Sequence, residues 1–346
     1  MVLGNTFHLF ITPGHERIER FGGLQRFMGW DAPVITDSGG FQVFSMGHGT
    51  VADEIKKQRP PTCAQGADRD GKVLSIEEEG VRFRSYLDGG ERFIGPETSM
   101  AVQAALGSDV ALVFDECTPF HVPRDYTARS TERTHRWLAR CLDWHAEHGP
   151  AGQLVYGIVQ GGVFEDLRVA STEAWPRAAA TGSPSAARSA RTRTRSARSW
   201  GGRGGAGRAA ASRPRHLLGI GDVDDLIRGV ELGIDTFDCA MPTRLGRRGM
   251  ALVPEPDRRW RVDLTAARWA DSDERIMEGC PCPACAAGHP RGYLRYLVKH
   301  RELTGLRLLT LHTSPSWPGS WRTYAAPSGP APWPSGPARC ARGRRR

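Results

Sequence analysis

Val34-Ile35-Thr36-Asp37-Ser38-Gly39-Gly40-Phe41-Gln42 is the stretch on which the fold turns. An apolar run after Pro33 reads as a short buried strand, and it ends in an acid, a hydroxyl and two glycines. A carboxylate at the C-terminal tip of such a strand, beside backbone bare of side chains, leaves room for a ligand to approach. Taken singly, Asp-Ser-Gly-Gly would read as an Asx-type turn. The pattern recurs, however. Val110 to Phe114 runs into Asp115-Glu116-Cys117, Leu154 to Val159 into Gln160-Gly161-Gly162, and Ile234 to Phe237 into Asp238-Cys239.

Helical patterns lie between these strands. Glu16 to Met28 carries Ile18, Phe21, Leu24 and Phe27 at spacings for one helix face. Glu97 to Leu106 follows Gly95-Pro96, and Asp125 to His148 predicts a long polar helix with Trp137, Leu138, Cys141 and Trp144 as its inner stripe. Asp222 to Leu232 begins with acids, as suits a helix N-terminus. Strands alternating with helices predict a parallel α/β fold. Polar residues at the tips of several strands favour a TIM-type (β/α)8 barrel with insertions over a doubly wound sheet. Residues 41–95 break the alternation. Val81 to Leu87 and Glu91 to Ile94 flank Asp88-Gly89-Gly90, a hairpin signal within an insertion after the strand that ends at Asp37. The expected organisation is a barrel over 1–278, a metal-binding subdomain over 279–312 and a tail over 313–346.

Cys280-Pro281-Cys282-Pro283-Ala284-Cys285 places three thiols within six residues, the spacing of a metal knuckle. Tetrahedral zinc needs a fourth ligand. His289 is near in sequence, and His312 follows a helix over Tyr293 to His300 and a strand-like apolar run over Leu306 to Leu311. Such thiols in a cytosolic chain are more often metal ligands than disulfides, and a closed four-ligand site would be structural. Neither a secretory signal over Met1 to Pro13 nor a membrane-length apolar run is present, so the expected location is the cytoplasm, away from membranes.

The motifs, in order, resemble those of the bacterial tRNA-guanine transglycosylases. They are Leu3-Gly4-Asn5-Thr6-Phe7-His8-Leu9, Thr36 to Gln42, Phe114 to Pro119, Gly157 to Gly162, Phe237-Asp238-Cys239 through Pro242-Thr243-Arg244, and the cysteine knuckle ending at Leu311-His312. The resemblance implies exchange of guanine at the anticodon wobble position of tRNA for 7-aminomethyl-7-deazaguanine. Asp238 would be the nucleophile that forms a ribosyl-enzyme intermediate, and Asp37 the general acid and base. Asp115 would pair with the N–H edge of the base, Ser38, Gln160, the backbone at Gly161 and Cys117 would complete its recognition, Phe41 would stack on it, and Asn5 would support the carboxylates. Arg244 and Arg247 would hold tRNA. Cys280, Cys282, Cys285 and His312 would hold structural Zn2+, and a homodimer is implied.

Two departures from the family pattern stand out. The chain opens at the family's Leu-Gly-Asn-Thr segment, so a barrel lacking its first strand is expected. From Ala174 to Ser212 the chain is rich in Ala, Arg, Ser, Thr and Gly where the family has a strand and a Gly-Gly loop. Codons for Thr181 to Ala187, regrouped one base earlier, permit Asp-Gly-Phe-Ala-Ile-Gly-Gly. This reads as a strand scrambled by a shifted frame, and 313–346 behaves the same way. Residues 174–215 hold ten arginines and residues 313–346 six, with no acid in either. Removing these sixteen takes the formal charge from +9 to about −7, so the basic balance says nothing about tRNA. Two further readings remain: a catalytically silent truncated or frame-shifted remnant, and an RNA-binding module using the Arg-rich tract.

Overall fold

A computed structural model describes residues 1–48, 73–118, 122–174, 183–185 and 214–314. The fold is mixed α/β with parallel sheet, and contacts divide the chain into two compact units, Met1–Ala240 and Met241–Arg346. In the first unit the strands are, in chain order, β1 (Val2–Gly4), β2 (Val34–Thr36), β3 (Val73–Ile76), β4 (Val81–Arg84), β5 (Glu91–Ile94), β6 (Val110–Leu112), β7 (Leu154–Tyr156), β8 (Ser183–Ser185), β9 (Arg215–Leu217) and β10 (Thr236–Phe237).

Strands β1-β2-β6-β7 form one parallel sheet and β10-β9-β8 another. Every residue of β2 and β6 is buried, as expected of parallel strands covered on both faces. Among the described residues β1 is an edge of the first sheet and no strand pairing joins the two sheets. The scrambled-strand expectation falls on 174–212, of which only Ala174 and Ser183–Ser185 are described. The tail expected over 313–346 lies outside the described residues from 315 onward.

The insertion is an antiparallel sheet, β3-β4-β5, in which β4 and β5 pair across Asp88-Gly89-Gly90 as the hairpin signal predicts. Its Val81, Phe83 and Ile94 enter the same core as Phe7, Ile35, Phe44, Leu112, Phe114 and Trp137. Burying that set drives the hairpin onto the sheet. The long helix, Arg124–His148, contributes Thr127, Thr131, Thr134, Trp137, Leu138 and Cys141 as its buried stripe. The Trp137 ring lies tilted against Phe114, centroids 5.0 Å apart, and donates from Nε1 to the Glu78 carbonyl at 2.7 Å, satisfying the one side-chain polar atom it buries.

Two sequence expectations need correction. The single helix expected over Glu16 to Met28 is two, His15–Arg20 and Leu24–Met28, broken at Gly22-Gly23 where φ is +86° and +93°. Phe21 and Phe27 are exposed and pack on each other rather than facing the core. In the second unit the strand-like run Leu306 to Leu311 belongs to a helix, Leu303–Thr313, which buries Gly305, Leu309 and His312 at helical spacing. A short apolar run does not by itself choose between strand and helix. The second unit also holds a hairpin of β11 (Met250–Leu252) and β12 (Arg261–Asp263). No described helix is long and apolar enough to cross a membrane.

Candidate active site and metal centre

The site lies beyond the C-terminal ends of β2, β6, β7 and β10. Asp37 directly follows β2, and its carboxylate is held by three donors from two helices. Thr6 donates its backbone N–H to Oδ1 at 2.8 Å, while Asn5 Nδ2 and Gln42 Nε2 donate to Oδ2 at 2.7 and 3.1 Å. Asn5 also caps the helix Thr6–Ile11 by accepting from His8 N–H. Burial pushes the Asp37 carboxyl up to about 6, and the negative charge of Asp238 pushes it the same way against the Thr6 and Gln42 donors.

Asp115, three residues past β6, is 3% exposed. Ser38 donates its hydroxyl to Oδ1 at 2.8 Å and Gln160 donates Nε2–H to Oδ2 at 2.6 Å, so residues after β2, β6 and β7 meet at one carboxylate. Burial again raises it to about 6 despite those donors, with Glu116 adding repulsion. Gly40 is required by this packing, because a Cβ there would sit 2.4 Å from the Asp115 carbonyl oxygen. Gly161, at φ +120°, is equally constrained: its Cβ would lie 2.6 Å from the Arg168 nitrogen.

Asp238 follows β10. Its Oδ1 accepts from Gly219 N–H at 2.8 Å and faces His216 Nε2 at 3.2 Å, and its side chain is 23% exposed. The arrangement therefore offers one carboxyl able to exchange a proton near neutral pH, one partly exposed carboxyl group held through a single oxygen, and a third pinned between hydrogen-bonding side chains.

In the second unit Cys280, Cys282, Cys285 and His312 are all buried, and their ligand atoms lie within 4.8 Å of one another. His312 Nδ1 is 3.6, 3.2 and 3.6 Å from the three sulfurs in that order. Tetrahedral zinc, with Zn–S of about 2.3 Å and Zn–N of about 2.0 Å, puts S···N separations at roughly 3.5 Å, so the donor set fits that ion. His312 Nε2 lies 2.9 Å from the Leu252 carbonyl, so Nε2 carries the proton and Nδ1 faces the sulfurs. Cys285 N–H donates to Cys282 Sγ, as a turn wrapped around a metal-binding thiolate requires.

A family model described as queuine tRNA-ribosyltransferase matches residues 1–313. The chain belongs to the queuine tRNA-ribosyltransferase family. The chain is 43% identical to a queuine tRNA-ribosyltransferase of Roseiflexus sp. (strain RS-1), over 90% of this chain and 78% of that protein. It is 40% identical to one from Pelotomaculum thermopropionicum, over 90% of this chain and 75% of the other, and 39% to one from Symbiobacterium thermophilum, over 90% and 70%.

In this member of the queuine tRNA-ribosyltransferase family the residues singled out from sequence fall into two groups. Asn5, Asp37, Ser38, Asp115, Gln160 and Gly161 are drawn together, and Asp238 acts electrostatically on Asp37. Phe41, in the first turn of the helix Gly40–His48, and Cys117, two residues past Asp115, are partly buried. Arg244 and Arg247 are exposed in the second unit, on or beside the helix Met241–Gly246.

Beyond Asn5, several supporting side chains are not signalled by the sequence. Glu116, 1% exposed, accepts from Tyr126 and from Arg133, each at 2.7 Å, tying the Asp115 loop to the long helix. Gln103 bonds both backbone groups of Leu112 at 2.8 Å and meets the Thr36 hydroxyl at 2.9 Å, locking β2 and β6 just before their functional tips. Thr6, Gln42 and His216 were the other omissions. Thr6 lies within Leu3 to Leu9 and Gln42 within Thr36 to Gln42, whereas no local signal marks His216.

Proposed function

We propose that the chain is a tRNA-guanine transglycosylase, a pentosyltransferase that exchanges guanine at the anticodon wobble position for a 7-deazaguanine. Asp238 attacks C1′ of the ribose as the bond to guanine breaks, giving an aspartyl-ribosyl intermediate. Asp37 supplies the proton to the departing base and later takes one from the incoming base, a task suited to a carboxyl near 6. Asp115 accepts N–H donors of the base edge, held for that purpose by Ser38 and Gln160. The Gly161 backbone and Cys117 contact the base, Phe41 stacks on it, Asn5 steadies Asp37, and Arg244 and Arg247 hold tRNA.

The observation that carries the reading is the pairing of unlike carboxylates at strand tips. Asp37 is wrapped in donors and pushed toward its neutral form, while Asp238 keeps part of its surface open. The two parallel sheets are arcs of one (β/α)8 barrel in this reading, with residues 279–312 a zinc-binding subdomain. The active form is a homodimer in the cytoplasm, which uses 7-aminomethyl-7-deazaguanine. Residues 174–212 and 313–346 are products of a shifted frame. The gene's nucleotide sequence tests that point: absence of a strand and Gly-Gly loop from the alternative frame would dismiss it.

The function is tested by incubating the purified chain with unmodified tRNA and radiolabelled guanine. Label entering tRNA, and chased out by 7-aminomethyl-7-deazaguanine, is the expected result. No incorporation would favour the silent-remnant reading instead.

A further inference from the structure

We propose that His216 is a positioning residue for the nucleophile: a neutral imidazole, its tautomer set by Thr236, that holds one oxygen of Asp238 and leaves the other for the ribose. The inference rests on the functional reading above and deepens it at the nucleophile. Strands β9 and β10 pair in parallel with His216 opposite Thr236, so the two side chains share a face. The period of two along β10 brings Asp238, just past the strand, to that same face. His216 and Thr236 on paired strands and Asp238 just past β10 therefore form one short chain of polar atoms.

His216 is 1% exposed, and both its nitrogens have partners. Nδ1 is 2.8 Å from the Thr236 hydroxyl and Nε2 is 3.2 Å from Asp238 Oδ1. A carboxylate can only accept, whereas a hydroxyl can donate or accept. Nε2 therefore carries a proton toward Asp238, and in the proposed arrangement the Thr236 hydroxyl donates to Nδ1, which satisfies every atom without the cost of burying a charged ring. Gly219 N–H donates to the same Oδ1 at 2.8 Å. Among the described residues no donor reaches Oδ2, which keeps its lone pairs.

This asymmetry suits the reaction. An Oδ2 lone pair forms the bond to C1′ while the electron pair of the broken bond leaves with guanine, which takes its proton from Asp37. Oδ1 then becomes the carbonyl oxygen of the ester. A neutral Nε2–H donates to a carboxylate and to an ester carbonyl alike, so the support persists through the intermediate without moving a proton.

His216→Phe removes the donor while keeping a ring, and His216→Gln keeps an amide N–H within reach of Oδ1. In single-turnover formation of the covalent tRNA adduct, His216→Phe is expected to be slower by roughly 10–100-fold, the scale of loss when a reacting group drifts by about an ångström. Its affinity for tRNA should stay within about two-fold, and His216→Gln should recover most of the rate. Equal loss in both variants, in proportion to lost thermal stability, would make His216 a mere staple between strands and overturn the proposal. A second readout does not depend on turnover. Nitrogen NMR of labelled histidine should find His216 in the Nε2–H tautomer, with a signal that moves in Asp238→Asn. An Nδ1–H tautomer overturns the proposal even in an active enzyme. A wild-type chain that forms no adduct refutes the functional reading instead, and the tautomer then decides the hydrogen bond alone.

Discussion

Replacing Asp115 by Asn should stabilise the protein near neutral pH while abolishing base exchange. Burial lifts the Asp115 carboxyl from its ordinary 3.8 to about 6. At ~1.36 kcal/mol per pK unit this is roughly 3 kcal/mol of cost for carrying the charge in the folded state. Because the folded pKa is the higher one, the folded chain binds more protons than the unfolded chain between those two values. Stability therefore falls as pH rises through that window and stays reduced above it. An Asn side chain keeps Oδ1 as acceptor for Ser38, and a turn of the Gln160 amide lets its Oε1 accept from the new Nδ2. Neither buried hydrogen bond need be lost. Thermal or urea unfolding should find the variant more stable by about 1–3 kcal/mol around pH 7.5, with most of the advantage gone by about pH 4. A variant equally destabilised at both pH values would refute the reasoning, since the cost would then lie in packing rather than in a buried charge.

Three other outcomes follow from particular contacts. The purified chain should contain close to one zinc per polypeptide by elemental analysis, and Cys282→Ser should lose it, with the folded second unit destabilised by up to about 10 kcal/mol, the scale of structural zinc binding. Gly40→Ala should cost about 2 kcal/mol and most of the exchange activity, because the added methyl meets the Asp115 carbonyl oxygen at 2.4 Å; an unchanged melting curve would contradict that geometry. Gln103→Leu should destabilise by about 2–5 kcal/mol by stranding the buried N–H and C=O of Leu112, read by denaturant unfolding.

What could be read before the structure was what local chemistry spells out. Arg124–His148 was legible because its inner residues recur at helical spacing, and the β4–β5 hairpin because Asp88-Gly89-Gly90 permits only a tight turn. The acidic strand tips are visible because buried apolar runs end abruptly in an acid at Asp37, Asp115 and Asp238. Leu306 to Leu311 was misread because four leucines in six residues fit either period. Burial at Gly305, Leu309 and His312 decides for helix, and the face that matters is the one that brings His312 to the thiols. The helix over Glu16 to Met28 failed at Gly22-Gly23, where conformational freedom outweighed an apolar pattern.

The supporting side chains were hidden for a different reason. Glu116 meets Arg133, Gln103 meets Thr36 and His216 meets Asp238 across 17, 67 and 22 residues of chain. No spacing rule joins such pairs. They exist because helix packing on the sheet (Arg133, Gln103) and strand register (His216) bring distant backbones side by side, so local motifs pointed to the strand-tip acids and to Asn5 but not to these longer-range partners.

The most direct test of the account is to mix the chain with unmodified tRNA, quench, and look on a denaturing gel for tRNA joined covalently to protein. The account predicts an adduct with the wild-type chain, released when 7-aminomethyl-7-deazaguanine is added, and none with Asp238→Asn. An adduct that persists in Asp238→Asn would contradict the assignment of the nucleophile, and no adduct from a folded, zinc-loaded wild-type chain would contradict the proposed activity itself.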